Sequence, residues 1–412
     1  MPSLPVLLLL AALSVSHSEY QQRRTRLRQA LPNSAIVLLG SPDTSSDPRS
    51  PMLQEPNFYY LTGWMEPNAV LLILPESEQP DEVLFLPPHN QRQERYEGRR
   101  AAAGDSGVEA LTGISRVLSA GIWESEVRRL TAGLPKLHTL TQTPSAETVK
   151  RAVPNTEWTD AAPAITRLRM VKSPREIEML QRSIDVSIEA HLAAWKRVKP
   201  GLHEYQIAAT MTGVILERGC ERHAYRPVVG AGPDSAILHY SANRRKMERG
   251  DLLLIDVGAE CACYAADITR TIPVGGRFNA RQRELYEAVL GARDAAIAAV
   301  KPGESLGPRG AIIQAARDYM DRRGPQVNGQ PLSKYFTHGI GHHTGLEVHD
   351  ASIPEEPLEP GMVITIEPGI YIPEENIGIR IEDMVLVTPR GAKVLSSALP
   401  AGPSEIERRL AK

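Results

Sequence analysis

Between residues 34 and 88 the chain runs through short, wholly apolar blocks separated by polar breaks. "SAIVLLG" (34–40), "AVLLILP" (69–75) and "DEVLFLPP" (81–88) are too short for helices and are bounded by Gly or Pro. They therefore predict buried strands. Upstream, "EYQQRRTRLRQALP" predicts a short charged helix that Pro32 ends. With helical segments between the strands, these blocks predict an α/β domain over residues 19–155. The pattern then changes. Ser173 is a natural N-cap, Pro174 fits the first helical position, and Glu176 completes a capping box. Ile177, Leu180, Ile184, Ile188 and Leu192 recur at helical spacing, as in a helix that covers a sheet. From Leu252 the chain becomes strand-rich, a helix is expected over 280–300, and "GMVITIEPGIYI" and "NIGIRIEDMVLV" predict further strands. The fold class is α+β: an α/β domain, then a larger α+β domain over 156–412.

Composition narrows the function. The 47 basic and 49 acidic residues give a net charge of −2, and only 5% of residues are aromatic. No basic groove or stacking surface for nucleic acid is indicated. Residues 4–15, "LPVLLLLAALSV", are apolar but too short to span a bilayer. Ser16 and Ser18 place small residues before a cleavage point at Glu19, so 1–18 read as a signal peptide. The expectation is export to the periplasm or medium, with a cytoplasmic protein the outcome if the segment is not a signal. No stable membrane anchor is expected. Cys220, Cys261 and Cys263 are an odd number, so no disulfide framework is expected, and Cys261-Ala262-Cys263 reads as small residues near a hairpin turn.

The chemistry lies in carboxylates that interrupt apolar strands. Asp256 and Asp267 would stand directly opposite one another in a hairpin centred between Cys261 and Ala262. Two such carboxylates repel unless a cation lies between them. Glu367 ends "MVITIEPG", and Glu382 interrupts the last strand, where Arg380, Glu382 and Met384 would share a face. Arg380 would then orient Glu382, or simply pair with it. "HGIGHHTGLEVHD" (338–350) supplies four histidines. Its glycines preclude a helical zinc motif, His342 is central, and His343 would face the opposite way. Spacing alone does not choose the ligand. One histidine with four carboxylates would hold two divalent cations, and the hard oxygen donors suit Mn²⁺.

"LLLIDVGAECACYAADITRTIPV", "HGIGHHTGLEVHD", "TIEPGIY" and "NIGIRIEDM", in that order, resemble the Xaa-Pro aminopeptidase (aminopeptidase P) and prolidase family, M24 metallopeptidases. "NFYYLTGWMEPNAVLLI" resembles that family's N-terminal domain, and "VKSPREIEML" the entry to its pita-bread catalytic domain. The resemblance implies two metal ions. Asp256 would chelate one, His342 and Glu367 the other, and Asp267 and Glu382 would bridge. Glu367 would also shuttle a proton, while His239, His338 and His349 would handle the substrate carbonyl and tetrahedral intermediate. Tyr371 and Arg380 would stand on the substrate side. Asp47, in "SSDPRSP", would reach a neighbouring subunit's site in a homo-oligomer, a dimer or tetramer.

The implied reaction is attack of a metal-bridging hydroxide on the carbonyl of the residue before proline in a peptide substrate. Proline leaves a tertiary amide that general peptidases handle poorly, so a dedicated pocket is chemically sensible. Removal of an N-terminal residue and prolidase action on dipeptides share these motifs; "NFYYLTG" favours the aminopeptidase. An inactive pita-bread binding module is disfavoured because every ligand type is present.

Overall fold

The computed structural model describes residues 15–42, 54–76 and 81–411, and the chain divides after Arg169 into two compact units. The first carries a mixed six-stranded sheet of order β4-β3-β2-β1-β5-β6. Its strands are β1 (Ala35–Leu39), β2 (Val70–Ile73), β3 (Glu82–Leu86), β4 (Val117–Ser119), β5 (Lys136–Thr139) and β6 (Glu157–Asp160). The three apolar blocks are β1 to β3, paired antiparallel in the middle of the sheet, whereas β4, β5 and β6 join in parallel. The sheet takes its last strand from beyond residue 155. The first helix, His17–Ala30, is charged as its sequence indicated, yet Arg23, Arg24 and Arg28 are buried. Arg24 donates to Glu82 Oε2 at 2.8 Å and to the Leu61 carbonyl at 2.8 Å, so the helix docks through paired guanidiniums as well as through the buried Tyr20 and Leu27.

The second unit opens with the helix Pro174–Arg197, whose Ser173–Glu176 capping box forms as expected. Its buried face is wider than the apolar stripe, because Ser183, Ser187 and His191 lie on it. Each meets backbone of the neighbouring hairpin. Ser183 Oγ donates to the Tyr264 carbonyl at 2.7 Å, Ser187 Oγ accepts from Ala259 N at 2.9 Å, and His191 Nε2 lies 3.2 Å from the Val257 carbonyl. That hairpin consists of β10 (Ala259–Cys261) and β11 (Tyr264–Ala265), beside β7 (Arg222–His223). A second sheet holds β8 (Val228–Ala231), β9 (Leu252–Asp256) and β12 (Thr269–Pro273) in the order β12-β9-β8. Towards the C-terminus β13 (Val363–Ile366) pairs with β16 (Asp383–Thr388), which also carries β17 (Gly391–Val394), while β14 (Gly369–Ile372) pairs with β15 (Ile377–Arg380). Helices Ala280–Ala299, where a helix was expected, and Ala311–Arg323 complete the unit.

Three expectations need correction. Asp256 pairs with Thr269, not Asp267. The hairpin turn is Ala262–Cys263, both left-handed at φ 51 and 66, one residue later than the symmetric guess. The register shift is two residues, an even number, so both aspartates keep the same face. "NIGIRIEDMVLV" is not one strand: it breaks at Ile381–Glu382, and its halves, β15 and β16, belong to different sheets. Finally, Cys220 and Cys261 form a disulfide across 41 residues, with Cα atoms 4.3 Å apart. An odd cysteine count hid a pairing that the β7–β10 contact brings about.

Candidate metal and active site

The candidate ligands sit where strands stop. Asp256 is the last residue of β9, Asp267 lies two residues before β12, Glu367 follows β13, and Glu382 occupies the break between β15 and β16. At such ends a side chain can leave the sheet face and converge with others without breaking a ladder. The hairpin joining the two aspartates depends on Gly258, where a Cβ would come 1.8 Å from the Ala266 carbonyl oxygen. His342 comes from the glycine-bent 338–350 segment, which contains no helix. At Gly341 a Cβ would lie 2.0 Å from the Thr365 carbonyl oxygen, so only glycine lets this segment press against β13. There His342 N donates to Thr365 Oγ1 at 3.0 Å and Thr365 N to the His342 carbonyl at 2.8 Å.

Donor atoms fall into three overlapping triads, each within 4.8 Å: Asp256–Asp267–Glu382, His342–Glu367–Glu382 and Asp267–His342–His349. His342 turns Nε2 inward, 3.3 Å from Asp267 Oδ2 and 3.6 Å from Glu367 Oε1. Its Nδ1 lies 3.1 Å from the His343 carbonyl, so Nδ1 keeps a proton and Nε2 is the nitrogen that would become a ligand once a metal ion displaced its proton. Burial pushes the Asp256 and Glu382 carboxyls upward and Glu367 up to about 7, with Asp267 adding repulsion to each. Burial acts on Asp267 in the same sense and is the largest single influence, but the bond to His342, the charges of His342 and Arg380 and the Tyr225 hydroxyl together leave it below the ordinary value. Burial disfavours protonated His342, yet Asp267 and Glu367 hold it up to about 9. Buried oxygen-rich groups that compete for protons in this way are short of positive charge. Divalent ions would supply it, and the donor set fits hard cations.

Arg380 is close enough to Glu382 for their charges to interact, but its bonds go to other groups than the expected partner. Its guanidinium donates to Asp256 Oδ2, to the Tyr371 hydroxyl at 2.7 Å and to Thr269 Oγ1 at 3.2 Å. Glu382 is oriented by Thr269, whose hydroxyl donates to Oε2 at 2.6 Å. Three supporting residues escaped the sequence reading. Tyr225 donates to Asp256 Oδ1 at 2.5 Å, Thr269 links Arg380 to Glu382, and Thr365 Oγ1 donates to Glu367 Oε1 at 3.3 Å. Thr365 was within reach, since it shares a strand face with Glu367 two residues on. Nothing in the residues around Tyr225 marked it.

The site opens into a cleft of about 530 Å³ lined by His239, His338, His349 and Tyr371 as well as the candidate ligands. His239 and His349 are exposed there, and the His349 ring stands edge-on to His342 at 4.1 Å. His349 thus joins a donor triad as well as the cleft wall. His338 Nδ1 lies 2.8 Å from the Gly339 carbonyl and Nε2 is 2.9 Å from the Tyr371 hydroxyl, so both ring nitrogens are engaged. Burial pushes its pKa down to about 4, leaving it neutral. His343 faces away, as expected; it is buried, and Lys172 and Asp350 are its charged neighbours. Asp47 lies outside the described residues.

Comparison with known proteins agrees with this geometry. Residues 178–389 match the model of metallopeptidase family M24, and residues 20–138 that of the aminopeptidase P N-terminal domain. The Xaa-Pro aminopeptidase of Haemophilus influenzae is 35% identical over 94% of this chain and 96% of its own length. That of Escherichia coli is 33% identical over 95% and 97%. Homo sapiens Xaa-Pro aminopeptidase 3 is 33% identical over 96% and 86%. The solved structure of E. coli aminopeptidase P with the inhibitor Pro-Leu matches with a TM-score of 0.88 at 30% identity, covering 97% of this chain and 99% of that one. With an N-terminal domain of that type and a pita-bread catalytic domain, this chain belongs to the Xaa-Pro aminopeptidases of metallopeptidase family M24 and is a metallopeptidase.

Proposed function

We propose that this enzyme removes the N-terminal residue from peptides with proline in second position, using two divalent ions, Mn²⁺ by preference, held by Asp256, Asp267, His342, Glu367 and Glu382. The observation that carries the reading is the convergence of these five side chains in overlapping triads at the floor of one cleft. When bound, the ions lower the pKa of water and polarise the scissile carbonyl. The protein's own groups do the rest. Arg380 and Tyr225 hold Asp256, and Thr269 holds Glu382, so the donors stay in place as charge develops. Glu367 takes a proton from the attacking water and delivers it to the proline nitrogen, which must leave as an amine. His239 and His349, exposed in the cleft, donate to the carbonyl oxygen; neutral His338, whose Nδ1–H donates to the Gly339 carbonyl, accepts from the Tyr371 hydroxyl and positions it beside the substrate. Tyr371, Val228 and Leu254 form an apolar cluster with Leu238, a suitable wall for a proline ring.

The test is hydrolysis by chelator-treated protein reloaded with Mn²⁺, Co²⁺ or Zn²⁺, comparing Gly-Pro, Xaa-Pro-Xaa and Xaa-Ala-Xaa peptides. We expect Xaa-Pro-Xaa to be cleaved best, two metal ions per chain, and near-complete loss in Asp267→Ala and Glu382→Ala. A folded protein that cleaves no Xaa-Pro bond with any of these ions would refute the reading; preference for Gly-Pro would assign a dipeptidase instead.

The proposal extends to export and to a homo-oligomer, a dimer or tetramer. The Cys220–Cys261 disulfide supports an oxidising compartment. N-terminal sequencing of the mature protein tests export, and light scattering tests the assembly.

A further inference from the structure

Among the described residues lining the cleft, two carry a permanent positive charge, Arg226 and Arg380. Arg380 is buried and its guanidinium is spent on Asp256, Tyr371 and Thr269. Arg226 is exposed, and no described acidic side chain pairs with it. Its backbone is nevertheless fixed on both sides. Tyr225 is anchored to Asp256 at 2.5 Å. Beyond it, the Pro227 carbonyl accepts from Asn243 Nδ2 at 2.9 Å, and Val229 N donates to Asn243 Oδ1 at 3.0 Å. A proline at 227 also confines the preceding residue to extended backbone. A guanidinium on so rigid a base, in a cleft whose other permanent positive charge is already engaged, is placed for an incoming anion.

The proposed substrate has one end that this arginine would repel, the free ammonium of its first residue. Its other end, beyond proline, carries side chains and a terminal carboxylate. We infer that Arg226 is a specificity residue that recognises a carboxylate on the leaving side of the scissile bond, so that acidic or short Xaa-Pro peptides are favoured. This rests on the proline-directed reading above and adds a substrate class to it. The carboxylate has two sources, an acidic residue after proline or the C-terminus of a tripeptide, and one guanidinium suits either through paired N–H donors.

Four peptides separate them: Ala-Pro-Glu-NH₂ against Ala-Pro-Gln-NH₂, and Ala-Pro-Ala against Ala-Pro-Ala-NH₂, assayed with the Mn²⁺-loaded enzyme. The wild type should favour the carboxylate member of at least one pair, by on the order of tenfold in kcat/KM, and less so as salt is raised. The first pair reports an acidic side chain and the second a free terminus. Arg226→Ala should bring that ratio towards one, Arg226→Lys should restore part of it, and Arg226→Glu should invert it. Equal rates within both pairs, or a ratio that survives Arg226→Ala, would overturn the inference while leaving the proline-directed reading intact. Failure of the wild type to cleave any of the four would overturn both.

Discussion

Arg380 donates through Nη2 to Oδ2 of Asp256, although the two lie 124 residues apart, one on β15 and the other at the end of β9. Arg380 also reaches Tyr371 and Thr269, so a single guanidinium sets the orientation of one candidate ligand directly and of Glu382 through a threonine. A lysine would keep the charge but not the planar fork. Arg380→Lys should therefore lower metal affinity and kcat by roughly 10- to 100-fold, the range seen for groups that orient metal ligands. Metal content by mass spectrometry and kcat at saturating Mn²⁺ would check this; wild-type values in both would show that charge alone suffices.

His342 and His343 are adjacent and face opposite sides, and their substitutions should part accordingly. His342→Ala removes Nε2 from the carboxylate cluster and should abolish turnover while leaving the fold intact. His343 is buried near Lys172 and Asp350, themselves a buried ion pair at 3.1 Å. His343→Ala should cost about 1–3 kcal/mol of stability and leave metal binding in place. Thermal melts with metal titration distinguish the two, and equal loss of metal from both would show that the assignment of sides is wrong.

The extent to which this arrangement was legible depends on the range of the interaction that sets it. Local patterns sufficed for β1, β2 and β3 and for the capped helix at Pro174. The shared face of Asp256 and Asp267 was also readable, because strand parity survives an even register error. The Arg380–Glu382 relation was not, since the alternating pattern runs unbroken through Ile381. The break there follows from a distant partner: Glu382 N bonds the Thr269 carbonyl, while β16 turns to pair with β13. Tyr225 and the Cys220–Cys261 bond likewise depend on contacts made only after folding. Burial of the polar stripe Ser183, Ser187 and His191 likewise depends on backbone partners that lie far along the chain.

The disulfide closes a loop between the segment before β7 and the hairpin that joins Asp256 to Asp267. Across 41 residues the loss of chain entropy in the unfolded state corresponds to about 4 kcal/mol. The double variant Cys220→Ser/Cys261→Ser should therefore melt several degrees lower, and reductant should shift the wild type in the same direction. If neither treatment changes the melting temperature, the bond does not stabilise the mature protein.

His191 gives the protein an acid sensitivity of predictable sign. It is wholly buried in the helix Pro174–Arg197, and burial, with Arg270 nearby, depresses its pKa from 6.5 to about 3. In the unfolded chain it takes a proton near pH 6.5, so between that value and pH 3 the unfolded state binds more protons than the folded one. The stabilisation is thus complete above pH 6.5 and shrinks on acidification, by up to about 1.4 kcal/mol per pH unit, or about 2 kcal/mol at pH 5. His191→Gln can keep a donor towards the Val257 carbonyl without titrating. Urea unfolding of both proteins from pH 7.5 to 5 should show the shallower slope in the variant. Because loss of metal and the other histidines act on both proteins alike, the difference isolates His191, and parallel slopes would mean that it is protonated, or accessible, in the folded state.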